Sequence, residues 1–280
     1  MAVRSVLVAS VMLLSACSSG PSTSPSISQG NTPQQLRAMA MWKERCETKS
    51  GVFIHRTVEN VEGVYLVNVR KSYEHSNSGG SALDQFRLSD PYGRDATGHG
   101  YLRVFLRGSF QLNRKEPLPA GHPPHQGYFF VEAYDPFDGK LYRFTGRIDE
   151  PWKRMPEKAL PGHLSFELDR SPIAQRTARY GVKFEDISTR EERELWIAGS
   201  SLKVIDLETN EVLAERIGYM VDWAQGSRAG ARQPWTFAAD NACPDFRSDY
   251  PEPFRSSRDT PGFQIYQSLR FAEKVLKPQP

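Results

Sequence analysis

What the sequence lacks narrows the field first. No run of about 18 apolar residues occurs, so no helix of ordinary membrane-spanning length can be drawn. Charge of one sign is missing too: 36 lysines and arginines face 33 aspartates and glutamates, a formal charge of +3. That balance argues against nucleic acid as a partner, and no lysine-rich or arginine-rich block marks a charged membrane patch. The chain has no G-x-S-x-G, no H-E-x-x-H, no Walker loop and no dinucleotide fingerprint, so no short motif fixes a reaction. Cysteine is scarce, with three in 280 residues and no C-x-x-C pair.

What is present begins at the N-terminus. Arg4 gives a short positive start, and Ser5 to Leu14 form a mostly apolar run. At about ten residues it has the length of a signal-peptide core, far below the ~20 needed to cross a bilayer. Leu14-Ser15-Ala16-Cys17 follows directly and resembles the lipobox of bacterial lipoproteins. The resemblance covers residues 1–17 alone. It implies cleavage before Cys17, diacylglycerol on its thiol, palmitate-type acylation and a lasting membrane anchor, because each buried CH₂ adds ~0.8 kcal/mol. Ser18 after the cysteine implies sorting to the outer membrane, facing the periplasm. An ordinary secretory signal with an incidental cysteine is the alternative.

Ser18 to Thr32 holds six serines, two prolines, two glycines and no charge. Such a segment cannot bury enough apolar surface to fold. As a flexible tether it has a root-mean-square reach of ~20 Å and spans ~50 Å when extended. The expected organisation is a signal over 1–16, a lipidated tether over 17–32 and one folded periplasmic domain over 33–280.

Across the whole chain 39% of residues are hydrophobic and 11% aromatic, which suits a globular protein with a core. With Cys17 given to lipid, Cys46 and Cys243 remain, and in an oxidising compartment they most simply pair. A pair of buried thiols or a redox site is the alternative. The disulfide would close a loop of about 198 residues, worth ~5 kcal/mol in the chain-entropy model.

Periodicity implies a mainly β, α+β domain: an antiparallel, sandwich-like sheet with a helix near each end. Thr32-Pro33-Gln34-Gln35 reads as a capped helix start, with Leu36, Met39, Trp42 and Cys46 on the inward side. Strands are expected at Val52 to Thr57, Val64 to Arg70, Tyr101 to Arg107, Tyr128 to Tyr134, Leu141 to Arg147 and Glu194 to Ala198. Leu164, Phe166 and Leu168 alternate in a further strand, and Val182 and Phe184 in the next. "DPFDGK" suggests one hairpin, and "SLKVIDLETNEVLAERIGYMVD" a second turning at Thr209-Asn210. A last helix is expected from about Pro261 to Leu276, capped by Thr260.

Three stretches could carry chemistry. "GHPPH" sets His122 and His125 three apart, but polyproline geometry holds their backbones ~9 Å apart. No nearby carboxylate or cysteine cluster completes a zinc set, so no metal and no cofactor are expected. "DPYGRDATGHGY" gathers Asp90, Arg94, Asp95, His99 and Tyr101, types that acid–base catalysis uses. "DWAQGSRAGARQPW" offers Asp222, Trp223, Arg228, Arg232 and Trp235 on a glycine-spaced loop. Tryptophan and arginine dominate interaction hot spots. The leading expectation is a lipid-anchored envelope protein that binds another protein, for example an immunity or accessory lipoprotein for a periplasmic effector. A periplasmic hydrolase using the Asp95/His99 region and a structural subunit of an envelope or secretion complex are the alternatives.

Overall fold

Thr32 opens the first helix, α1 (Pro33–Thr48), through a full capping box. Its hydroxyl accepts from the Gln35 amide at 3.2 Å while Gln35 returns a bond to the Thr32 amide at 2.8 Å. Two otherwise unpaired helix-end donors are thereby satisfied. The computed structural model describes residues 32–70, 85–86, 96–108, 127–155, 157–158, 160–231, 234–235, 238–244 and 267–280. The lipobox, the tether and the proposed start of the last helix at Pro261 lie outside these residues.

Among the described residues nine strands form one sheet, in the order β1 (Gly51–Ile54), β9 (Glu211–Val221), β8 (Ile197–Asp206), β7 (Tyr180–Asp186), β3 (Gly63–Leu66), β4 (Phe130–Tyr134), β5 (Leu141–Asp149), β6 (Ser165–Pro172). The ninth, β10 (Ala242–Cys243), pairs with β9 beyond β1. A separate two-stranded sheet joins β2 (Val58–Val61) to β11 (Leu276–Pro278). The chain is thus mainly β with few helices. The sheet is mixed, because β3 runs parallel to both β4 and β7. A parallel neighbour needs a crossover, usually helical. The β3-to-β4 connection contains α2 (His99–Arg107).

That helix corrects the strand expected at Tyr101 to Arg107. Tyr101, Leu102, Val104, Phe105 and Leu106 are all buried, and exposed Arg103 stands one turn from half-buried Arg107. A short apolar run satisfies both periods, so length and flanking glycines decide. Gly98 and Gly108 bracket the helix with φ of 53° and 60°, a region open to glycine. Glu194 is also helical, in α4 (Arg190–Glu194), and β8 starts only at Ile197. Thr189 and Glu192 make a second capping box there, a pattern present in the sequence.

Both expected hairpins form. β4 and β5 pair around 135–140, and β8 and β9 pair with Asn210 at φ 60° in the turn. The main core packs α2 and α5 (Gln267–Val275) on one face of the sheet. Phe105, Tyr128, Phe144 and Phe271 are buried within it. Each such aromatic contributes on the order of 1.5–3 kcal/mol by burial. On the opposite face α1 covers Tyr219, Ile217 and Val221 of β9. It docks through Ala38 with Trp42 half-buried, whereas Leu36, expected inside, is 55% exposed. The small Ala38 lets the helix approach, and Arg45 reaches across to the buried carboxylate of Glu192 at 2.5 Å. Farther along this face Lys203 bridges Glu185 at 2.7 Å, and Ser201 donates to Glu215 at 2.6 Å.

Cys46 at the end of α1 joins Cys243 in β10, with Cα atoms 5.6 Å apart and a sequence separation of 197. The bridge ties α1 to the edge of β9. Because a native bridge closing so long a loop typically stabilises by about 2–5 kcal/mol, Cys243→Ser is expected to lower the melting temperature by several degrees. Reductant should produce the same drop in the parent and none in the variant, read by circular dichroism melts.

Candidate partner-binding site

The loop after β9 turns its most recognisable side chains inward. Asp222 is fully buried, and its two oxygens accept the amides of Ala224 and Trp235, both at 3.2 Å. Trp235 is 8% exposed; its ring lies 5.3 Å from that of Trp196, and the Arg193 guanidinium lies 5.6 Å from its centroid. Trp223 is half-buried against α1, and its carbonyl accepts from the Gln35 side chain at 3.2 Å. Asp222 and Trp235 therefore close the end of the sheet instead of facing a partner. The reason is local: Trp196, just before β8, forms a buried cluster with Ala198, Met220 and Ala238 in which the second indole packs. Arg228 is exposed, and Arg232 lies outside the described residues.

The second stretch divides in the same way. Asp90, Arg94 and Asp95 lie outside the described residues, as do His122 and His125. Tyr101 is a core residue, 1% exposed. His99 stands at the first position of α2 and is brought to the turn between β4 and β5.

That turn, "DPFDGK", is held by its own carboxylates. Asp135 accepts the Phe137 amide at 2.9 Å, and Asp138 accepts the Lys140 amide at 2.9 Å, each two residues on. Such side-chain bonds to the backbone are what make aspartate a turn residue. Asp135 is 1% exposed and also bonds His99 Nε2 at 3.0 Å and the guanidinium of Arg170 on β6. Arg170 reaches Asp138 at 3.3 Å and lies 4.6 Å from the Tyr142 ring centroid, while the Tyr142 hydroxyl donates to Asp138 at 2.9 Å. Burial alone would raise the Asp135 carboxyl, but the Phe137 amide, His99 and Arg170 together hold it below its ordinary value.

Phe137 sits at the tip. Its ring meets the His99 imidazole edge-on at 4.8 Å, and the residue is 69% exposed. Exposed Tyr134 and Phe129 flank the same strand. On the other face of β4, Glu132 is buried and accepts the amides of Thr177 and Ala178 at 2.7 and 2.8 Å, with Arg143 bonded at 2.9 Å. Strand and turn are thus fixed from both faces. The arrangement presents one large apolar side chain beside His99, on a turn whose carboxylates are held by Arg170 and Tyr142. Preorganisation of this kind lowers the ordering cost of association.

Sequence reading missed Asp135, Phe137, Asp138, Tyr142 and Arg170 as site residues. The two turn-forming aspartates were legible in "DPFDGK"; their meeting with His99 and Arg170, about 35 residues away on either side, was not. No family model, curated protein or solved structure matches the chain.

The lowered carboxyl of Asp135 sets a pH dependence. A carboxyl depressed by folding contributes stability above its unfolded value, near 3.8, and loses it as pH falls through the lower folded value. Asp135→Asn is expected to cost about 1–3 kcal/mol at neutral pH, since hydrogen bonds to a charged group are lost. Denaturant melts should show that gap narrowing below pH ~4.

Proposed function

We propose that the chain is a lipid-anchored protein of the cell envelope that works by binding another protein, in an accessory or immunity-type role at the outer membrane. The observation that carries the reading is Phe137: a phenyl ring 69% exposed on a turn whose backbone is locked by a buried carboxylate. Exposed aromatics beside arginine and tyrosine are the usual composition of interaction hot spots. The disulfide supports an oxidising compartment, and the lipobox-like segment supports the anchor. Among the described residues no helix is long and apolar enough to cross a membrane.

One observation favours a second reading, hydrolysis. His99 is oriented by a buried carboxylate, the relation a general base needs. A stable His99→Ala variant that still captures the partner but loses cellular function would select it.

Phe137→Ala is expected to weaken capture of the envelope partner at least tenfold, about 1.4 kcal/mol, with an unchanged melting temperature because the ring is exposed. Affinity purification after cross-linking, quantified against the parent, measures it. Arg228→Ala should leave capture within twofold.

A further inference from the structure

The connection from β5 to β6 lies at the opposite end of that strand pair from Phe137, ~30 Å away by nine residues of strand. Four apolar residues lie on this connection and on the strand end that leads into it. Ile148 is 41% exposed, Met155 37% and Leu160 80%, and Trp152 is half-buried in the short helix α3 (Pro151–Arg154). Two long cations are interleaved with them. Lys153 reaches over the Trp152 ring, 5.5 Å from its centroid, and Arg154 is 61% exposed. Both are ion-paired, Lys153 with Glu150 and Arg154 with Asp149, and exposed Glu157 and Lys158 follow, so acids and cations balance over 149–158.

We infer that this connection is a membrane-resting surface, on which Trp152, Met155 and Leu160 enter the headgroup region of a bilayer while Lys153 and Arg154 exchange their weak surface pairs for its phosphates. The inference rests on the lipid-anchor reading. Two observations favour lipid as the occupant. Tryptophan with flanking lysine and arginine is the interfacial composition of membrane proteins, and Lys153 lies over the Trp152 ring, so its apolar stem can stay on the surface while its head turns to polar groups. The chain between Cys17 and Thr32 extends to ~50 Å, and a domain of this length has a radius of gyration of ~18 Å, so the tether lets this end reach the membrane that holds it.

The experiment uses the acylated protein on vesicles of phosphatidylethanolamine and phosphatidylglycerol with brominated acyl chains, which quench only tryptophan at membrane depth. Quenching is expected in the parent, is removed by Trp152→Phe, and falls at least tenfold in Leu160→Asp with Met155→Asp. Flotation with the vesicles reads the anchor separately, and melts confirm that the variants fold. Equal quenching in the aspartate variant, or none in a parent that floats, overturns the membrane-resting surface while leaving the anchor standing. A parent that fails to float overturns the anchor itself. Protection of residues 147–160 from hydrogen exchange by a protein in envelope extract, without quenching on vesicles, overturns the inference in favour of a protein occupant.

Discussion

The long β8–β9 hairpin is the constraint from which the remaining elements hang. It pairs over nearly its whole length, from Ile197 opposite Val221 to Asp206 opposite Glu211. One face of it receives α1, and the other receives α5 and the main core. Its outer edge carries β1 and β10, the latter bearing Cys243. A shift of register between Val204 and Ile205 bends the hairpin near its turn, and bulges of this kind sharpen local twist. At that turn the Arg179 guanidinium, bonded at 2.7 Å, holds the Asp206 carboxyl down at about 2. Disrupting this hairpin would remove the support of both layers at once.

The candidate site lies on the far side of the sheet, beyond the parallel pair at β3. There β4, β5 and β6 pair in sequence order, β4 to β5 by a tight turn and β5 to β6 by a longer connection that contains α3, and β5 is exposed from Thr145 to Ile148. Extra strand length leaves two ends free to carry different surfaces. The end at 135–140 is stiffened by Asp135, which is satisfied by three donors from three segments of chain. The end at 150–163 is held by surface ion pairs, which contribute little to stability. A rigid turn suits docking to a shaped pocket, and a looser apolar tip suits a fluid surface.

Local signals were legible in the sequence wherever one segment satisfies its own backbone. The Thr32 capping box, the Asn210 turn and the "DPFDGK" turn all belong to this kind. The cysteine pair was legible by elimination, since two remained after the lipobox-like segment took one. Illegible were features set by distant packing. Residues 101–106 satisfy both helix and strand periods, and beyond the flanking glycines it is the parallel crossover from β3 to β4 that favours a helix. The tryptophans and arginines of the glycine-spaced loop after β9 suggested a binding surface, yet Trp235 is buried against the indole of Trp196. His99 was noticed for its chemistry, but its partner Asp135 lay 36 residues on, hidden in what read as an ordinary turn.

On the proposed reading, a lipid-tethered domain stitched by one long-range disulfide needs only one well-made contact to work as a binding module. The account places that contact at Phe137. Site-specific photocross-linking in intact cells tests it most directly, with a photoreactive phenylalanine analogue carried at position 137 in one strain and at position 228 in another. The account predicts a discrete protein adduct from position 137 and none from position 228. An adduct from position 228 alone, or none from position 137 in a protein expressed and localised like the parent, would contradict it.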